Sequence, residues 1–236
     1  MLNVLSIDWD YFIDATFQQR YLLFPDVQRE DFPDETIRLI WAGRYAQQEE
    51  LEKIKIDPLV YKVVKTIKHI PKIIVGESHK FAYLFIKTVL KEEGEERLNL
   101  LNVDFHHDCY ATGLDGEDNL TCGNWLRKLM EEEKGSYVWL GRSDSDKNQK
   151  PKSLKFISNY NSANIEKTKW DMVFICRSDM WSPPHLDAEF IKVFIPLTEG
   201  KNRLYGGLNS VDDFVREDRY ISLLGMIQKE KESRKY

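Results

Sequence analysis

The stretch LLNVDFHHDCY, residues 100–110, passes from a strand-like apolar run into a dense group of acids and imidazoles: Asp104, His106, His107 and Asp108. The whole chain has only five histidines, and two of them adjoin here between aspartates. Several ionisable groups at the end of a buried strand repel one another and lose hydration unless something neutralises them. The stretch therefore reads as a strand whose carboxyl end is a site.

Similar runs recur on either side: LNVLSID (2–8), KIIVGES (72–78), LNLLNVD (98–104), YVWLG (137–141) and WDMVFICRS (170–178). Each is short, apolar and bounded by polar residues, as expected of buried strands. Between them helical spacing covers roughly 35–55, 57–69, 78–93, 122–134 and 185–195, with a charged helix from about 211 to the end. Pro58 after Asp57 suits a helix start, and Gly94 suits a stop. Strands alternating with helices predict an α/β fold with a mostly parallel sheet. The 236 residues, with no repeat or composition shift, fit one domain over 1–236. The polar stretch GRSDSDKNQKPKS (141–153) reads as an exposed loop.

Composition narrows the function classes. Hydrophobic residues at 42% and charged residues at 31% describe an ordinary globular chain. A net charge of −5 gives no general attraction to nucleic acid or to an anionic membrane. The opening MLNVLSIDWDYF lacks the basic start of a secretory signal, which leads to the expectation of a cytoplasmic protein. Cys109, Cys122 and Cys176 are odd in number and lack C-x-x-C spacing, against both a disulfide framework and a thiolate zinc site.

Ligands of open α/β sheets bind at the carboxyl ends of the strands. There the sequence places Asp8 and Asp10, Glu77 and His79, Asp104, His106 and Asp108, and Ser178 and Asp179. Side chains two apart on an extended segment face one way, so Asp104, His106 and Asp108 are expected to converge, as are Asp8 and Asp10. His107 is expected to point elsewhere, as support, proton carrier or packing. Taken alone, DWD also suits a turn, and His79 a helix start. Four carboxylates (Asp8, Asp10, Asp104, Asp108) and two imidazoles (His79, His106) balance two divalent cations. An oxygen-rich set with some imidazole suits manganese, with iron and cobalt as alternatives. Two such ions would lower the pKa of a shared water.

These residues resemble the arginase/agmatinase ureohydrolase superfamily. Asp104, His106 and Asp108 match its D-x-H-x-D motif, VGESH (75–79) is similar to its GG-D-H loop, SIDWDYF (6–12) to its S-x-D-x-D strand end, and CGNWL (122–126) to its S-G-N segment. The group it most resembles is the peptide arginases, which convert arginine residues of ribosomal precursor peptides to ornithine. The resemblance implies a three-layer αβα arginase/deacetylase-like fold. It also implies two Mn2+ per chain, one held by His79, Asp104, Asp108 and Asp8, the other by His106, Asp104, Asp8 and Asp10. Asp108 would pass a proton to the leaving amine, and Asp179, Asn124 and Glu77 would contact substrate.

The D-x-D strand here precedes the D-x-H-x-D strand instead of following it, which calls for a circularly permuted connection and makes Asp179 a rival ligand. The histidine after the S-G-N segment is replaced by Trp125 and Leu126, leaving His107 or His185 as substitutes. Trp9 and Trp181 are candidates for pocket walls or for core. The expected partner is an arginine-containing precursor peptide, with residues 13–56 and 196–236 available for a peptide groove or homo-oligomer contacts. DFHH also resembles metal-dependent deacetylases, and a peptide-binding protein without turnover is the non-enzymatic alternative.

Overall fold

The computed structural model describes residues 1–25, 32–111, 119–198 and 217–234. Six strands run in it: β1 (Leu2–Asp8), β2 (Lys72–Gly76), β3 (Leu98–Val103), β4 (Gly135–Leu140), β5 (Lys155–Ile157) and β6 (Met172–Cys176). All neighbours pair in parallel, in the order β2-β6-β1-β3-β4-β5. Five strands lie where the apolar runs place them. The three-residue edge strand β5 is too short to carry a readable pattern.

Alternation along the strands builds two cores. Leu5 and Ile7 of β1, Leu101 and Val103 of β3, and Val173 and Ile175 of β6 face one layer of helices. Leu2 and Val4, Leu98 and Leu100, and Met172 and Phe174 face the other. The first layer is α2 (Asp34–Gln47), α3 (Leu59–Ile67), α6 (Asp187–Phe194) and α7 (Arg219–Ser233), through residues such as Trp41, Val63, Phe190 and Leu223. The second is α4 (Lys80–Glu92) and α5 (Trp125–Glu132), through Phe85, Ile86, Val89 and Leu126. At about 1.5–3 kcal/mol for each fully buried large apolar side chain, the two faces supply the main drive for folding. The result is a three-layer αβα architecture with an all-parallel sheet, of arginase/deacetylase-like description.

Local signals act as the sequence implies. Asp57 Oδ1 accepts the Leu59 N–H at 2.9 Å, and Gly94 adopts φ +64° after α4. The expected helix over 35–55 breaks at Gln47 and resumes as a short 3₁₀ turn, Glu49–Lys53. The last helix begins at Arg219, capped by Asp218; residues 211–216 and 235–236 of its expected span lie outside those described. A helix the periodicity does not announce, α1 (Phe17–Leu23), is set by a capping box between Thr16 and Gln19. No helix among the described residues is long and apolar enough to cross a membrane.

With every strand parallel, the carboxyl ends share one edge. β1 pairs with β3 on one side and β6 on the other, so Asp8 and Asp10 emerge beside Asp104 although their strand comes first in the chain.

Candidate metal centre

The donors arise where the alternation of one sheet face turns from apolar to polar. Leu2 and Val4 of β1 are followed on that face by Ser6 and Asp8, Leu98 and Leu100 of β3 by Asn102 and Asp104, and Met172 and Phe174 of β6 by Cys176. Beyond the strand ends the chain turns. Asp8 Oδ1 accepts the Asp10 N–H at 2.8 Å and opens a 3₁₀ turn, Trp9–Phe12. Asp104 Oδ1 accepts the His106 N–H at 2.7 Å, and Asp108 has φ +50°. Convergence of Asp104, His106 and Asp108 therefore comes from side-chain-to-backbone turns and one left-handed residue, and not from the extended alternation expected of them.

Two overlapping groups result. In the deeper one, His79 Nδ1 lies 3.2 Å from Asp8 Oδ2, 3.1 Å from Asp104 Oδ2 and 3.1 Å from Asp108 Oδ2. In the outer one, His106 Nδ1 lies 3.0 Å from Asp10 Oδ2 and 3.9 Å from Asp104 Oδ1. Asp104 serves both groups. The His79 side chain is 2% exposed and the His106 side chain 25%, so the outer group is the one that meets solvent. His79 makes no helix-cap bond at the start of α4; its Nε2 lies 3.0 Å from Ser6 Oγ. A proton on Nε2, directed at Ser6, leaves the Nδ1 lone pair facing the three carboxylates.

This arrangement fits divalent cations. His79 Nδ1 and Asp10 Oδ2 are buried and make no well-formed hydrogen bond, although carboxylate or imidazole atoms stand 3.0 to 3.2 Å from them. The Asp104 and Asp108 oxygens lie within 4.8 Å of each other, and at an effective dielectric of about 20 two such charges repel by about 3–4 kcal/mol. Against a typical folding margin of about 5–15 kcal/mol, a cluster of four acids needs counter-charge.

The local electrostatics follow the same logic. Burial, then Asp10 and Asp104, pushes the Asp8 carboxyl up, and burial, then Asp108 and Asp10, does the same to Asp104. Burial also opposes charge on Asp10, but His106 and Arg20 overcome it and hold that carboxyl below its ordinary range. For His79 and His106 burial works against the proton and the surrounding acids win, raising His79 well above an ordinary imidazole and His106 to about 9.

Against protein-family models, curated proteins and solved structures, the chain matches none. Its chemistry is read from its donors. The overlapping His, Asp and Cys groups give the fold the capacity for a binuclear metal site and hydrolase-type chemistry.

The remaining expected residues fall into distinct settings. Both nitrogens of His107 are engaged, Nε2 with Asn148 O at 2.6 Å and Nδ1 with the Cys109 N–H at 3.0 Å, so the ring braces the loop after β3. His185 is likewise held by the Tyr45 hydroxyl at 2.6 Å and Ile54 O at 3.0 Å. Asn124 folds its own loop, accepting from Thr121 N and donating to Asn119 O, both at 2.8 Å. Glu77 forms a two-pronged ion pair with the buried Arg177. Asp179 stands outside both donor groups; its Oδ1 accepts the Met180 N–H at 2.8 Å, while burial and then Glu77 raise its pKa. Trp9 is core, edge-on to Phe190 and Phe194. Trp181 lies over His106 with ring centroids 4.9 Å apart.

Sequence reasoning missed the supporting groups. Trp125 donates its indole N–H to Asp108 Oδ2 at 2.6 Å, and Asn102 Nδ2 donates to Asp104 Oδ2 at 3.1 Å. Cys176 closes a group with Asp8 and His79. Asn102 and Cys176 were within reach of the period-two pattern, being polar or sulfur-bearing residues in register with Asp104 and Asp8.

Proposed function

We propose that this chain is a binuclear, manganese-dependent hydrolase that cleaves the guanidinium group of arginine residues in a precursor peptide, giving ornithine and urea. The observation that carries the reading is the sharing of Asp104 between the His79 group and the His106 group. One ion would be held by His79, Asp8, Asp104 and Asp108, and the other by His106, Asp10 and Asp104, with Asp8 as a further donor. When bound, two such ions act as Lewis acids and lower the pKa of water at the site.

The chain's own residues bind and orient the substrate. A guanidinium is a planar cation suited to carboxylate pairing, and Glu77 is already paired with Arg177, so that task falls to Asp179. Trp181, half-buried over His106, offers an aromatic wall at the outer side. Asp108, oriented by Trp125, would take a proton from the attacking water and hand it to the leaving amine. His107 and Asn124 hold the loops that carry these groups.

The test is release of urea, with ornithine in the peptide, from an arginine-containing peptide by the manganese-loaded protein. Asp104→Asn is expected to abolish both release and binding of the second ion. No urea from peptide arginine, free arginine or agmatine would remove the guanidine reading. A metal content of one zinc per chain would favour a deacetylase instead, for which the Asp10–Asp104–His106 group has no purpose.

A further inference from the structure

We propose that Cys176 is a sulfur ligand of the deeper metal position, so that this position binds a thiophilic divalent ion such as Co2+, Zn2+ or Fe2+ more tightly than the outer, oxygen-rich position does. The inference rests on the binuclear reading and sharpens it: the two positions are chemically unlike.

Cys176 is the last residue of β6 and pairs in register with Asp8 of β1, on the sheet face that also carries Ser6, Asn102 and Asp104. It is fully buried. Asp8, His79 and Cys176 each offer one donor atom within 4.8 Å of the other two. Metal–sulfur bonds of about 2.3 Å and metal–nitrogen bonds of about 2.0–2.1 Å, at the tetrahedral angle, put the donors of one ion roughly 3.5 Å apart. Donors within 4.8 Å of one another come onto a shared ion with a closing movement of about 1 Å or less.

A buried cysteine alone is most simply a small apolar residue. Here an independent feature points to a ligand: His79 Nδ1, with its side chain 2% exposed, has no hydrogen-bond partner and stands 3.2 Å from the Asp8 oxygen of the same group. The thiol's own bond is weak, a 3.4 Å contact to Glu77 O in the loop that leads to His79. On coordination the S–H bond breaks, its proton passes to solvent, and the metal–sulfur bond replaces that contact. The outer group, Asp10, Asp104 and His106, has no sulfur, and soft donors favour cobalt, zinc and iron over manganese.

The test uses Co2+ as the probe on the full chain. Two equivalents are expected to bind and to give a thiolate-to-cobalt charge-transfer band in the near ultraviolet. The band should vanish in Cys176→Ser and persist in a Cys109→Ala, Cys122→Ser variant that keeps Cys176 alone. Cys176→Ser should weaken one of the two Co2+ affinities by at least about 10–100-fold, because even outer partners of metal ligands are worth that much. Its Mn2+ affinities should change far less. Two bound Co2+ without the band, or a band that survives Cys176→Ser, overturns the sulfur ligand and leaves the binuclear reading standing. Failure to bind Co2+ at all removes both.

Discussion

At Trp125 a single hydrogen bond links packing to chemistry. The indole is fully buried against the α4–α5 core, yet its N–H reaches Asp108 Oδ2 at 2.6 Å, and its ring lies 5.2 Å from that of His79. One residue thus orients an acid and backs an imidazole of the deeper group. In the sequence the position reads only as a missing histidine, because nothing local tells which way an indole N–H points. Trp125→Phe keeps most of the packing volume and removes the donor. It is expected to leave the metal-free fold within about 1–3 kcal/mol of wild type. It should also weaken metal binding at the deeper position about 10–100-fold, the usual cost of losing an outer partner. Calorimetric metal titration beside thermal melting separates the two effects. Unchanged affinity with a lowered melting temperature would reduce Trp125 to packing.

Among the elements, the strands were legible and the turns after them were not. β1, β3 and β6 follow from apolar runs, and their shared carboxyl edge follows from βα alternation, which is why Asp8, His79 and Asp104 could be placed together. The step beyond the strand ends depends on bonds such as His106 N–H to Asp104 Oδ1 and on the left-handed Asp108, which the two-residue period does not describe. α1 escaped for a related reason: with Phe17, Tyr21 and Leu22 exposed it shows no apolar stripe, and what anchors it is one cation. Arg20 donates to the carbonyls of Asp10, Ile13 and Ala15, at 2.6, 2.9 and 3.1 Å, and lies 4.0 Å from the centroid of the Phe105 ring. It therefore ties α1 to the turns that follow both β1 and β3. Arg20→Met leaves these carbonyls without their donor and should cost on the order of 3 kcal/mol or more in chemical denaturation of the metal-free protein. Because the turn that carries Asp10 loses its clasp, the outer metal position should weaken more than the deeper one. Arg20→Lys should restore little, since an ammonium cannot reproduce the fork. Full recovery by lysine would show that charge alone, and not the three-carbonyl clasp, does the anchoring.

For the molecule as a whole, the donor clusters set how stability responds to pH and metal. His79 and His106 hold their protons more tightly when folded, so their contribution is fully present below the ordinary histidine value of 6.5 and is lost as pH rises through the folded value, about 9 for His106. Asp8 and Asp104, also raised, act with the same sign. The opposing groups add no slope in that window. Asp10 is depressed, so its contribution is complete well above 3.8, and those of His107 and His185, lowered chiefly by burial, are complete above 6.5 and fade only as pH falls. The metal-free protein should therefore lose stability between pH 6.5 and about 9, by on the order of 3 kcal/mol from His106 alone. A bound ion replaces those protons as the counter-charge, and ligation strengthens as protons leave. With ions in excess the slope should reverse, and about 2.7 kcal/mol of added stability is expected at a free concentration 100 times the dissociation constant. Chemical denaturation across the window, with chelator and then with Mn2+ or Co2+, measures both slopes. Metal-free stability that stays flat or rises with pH would mean that the acids and imidazoles are not mutually compensating, and the case for cations at this strand edge would lose its electrostatic basis.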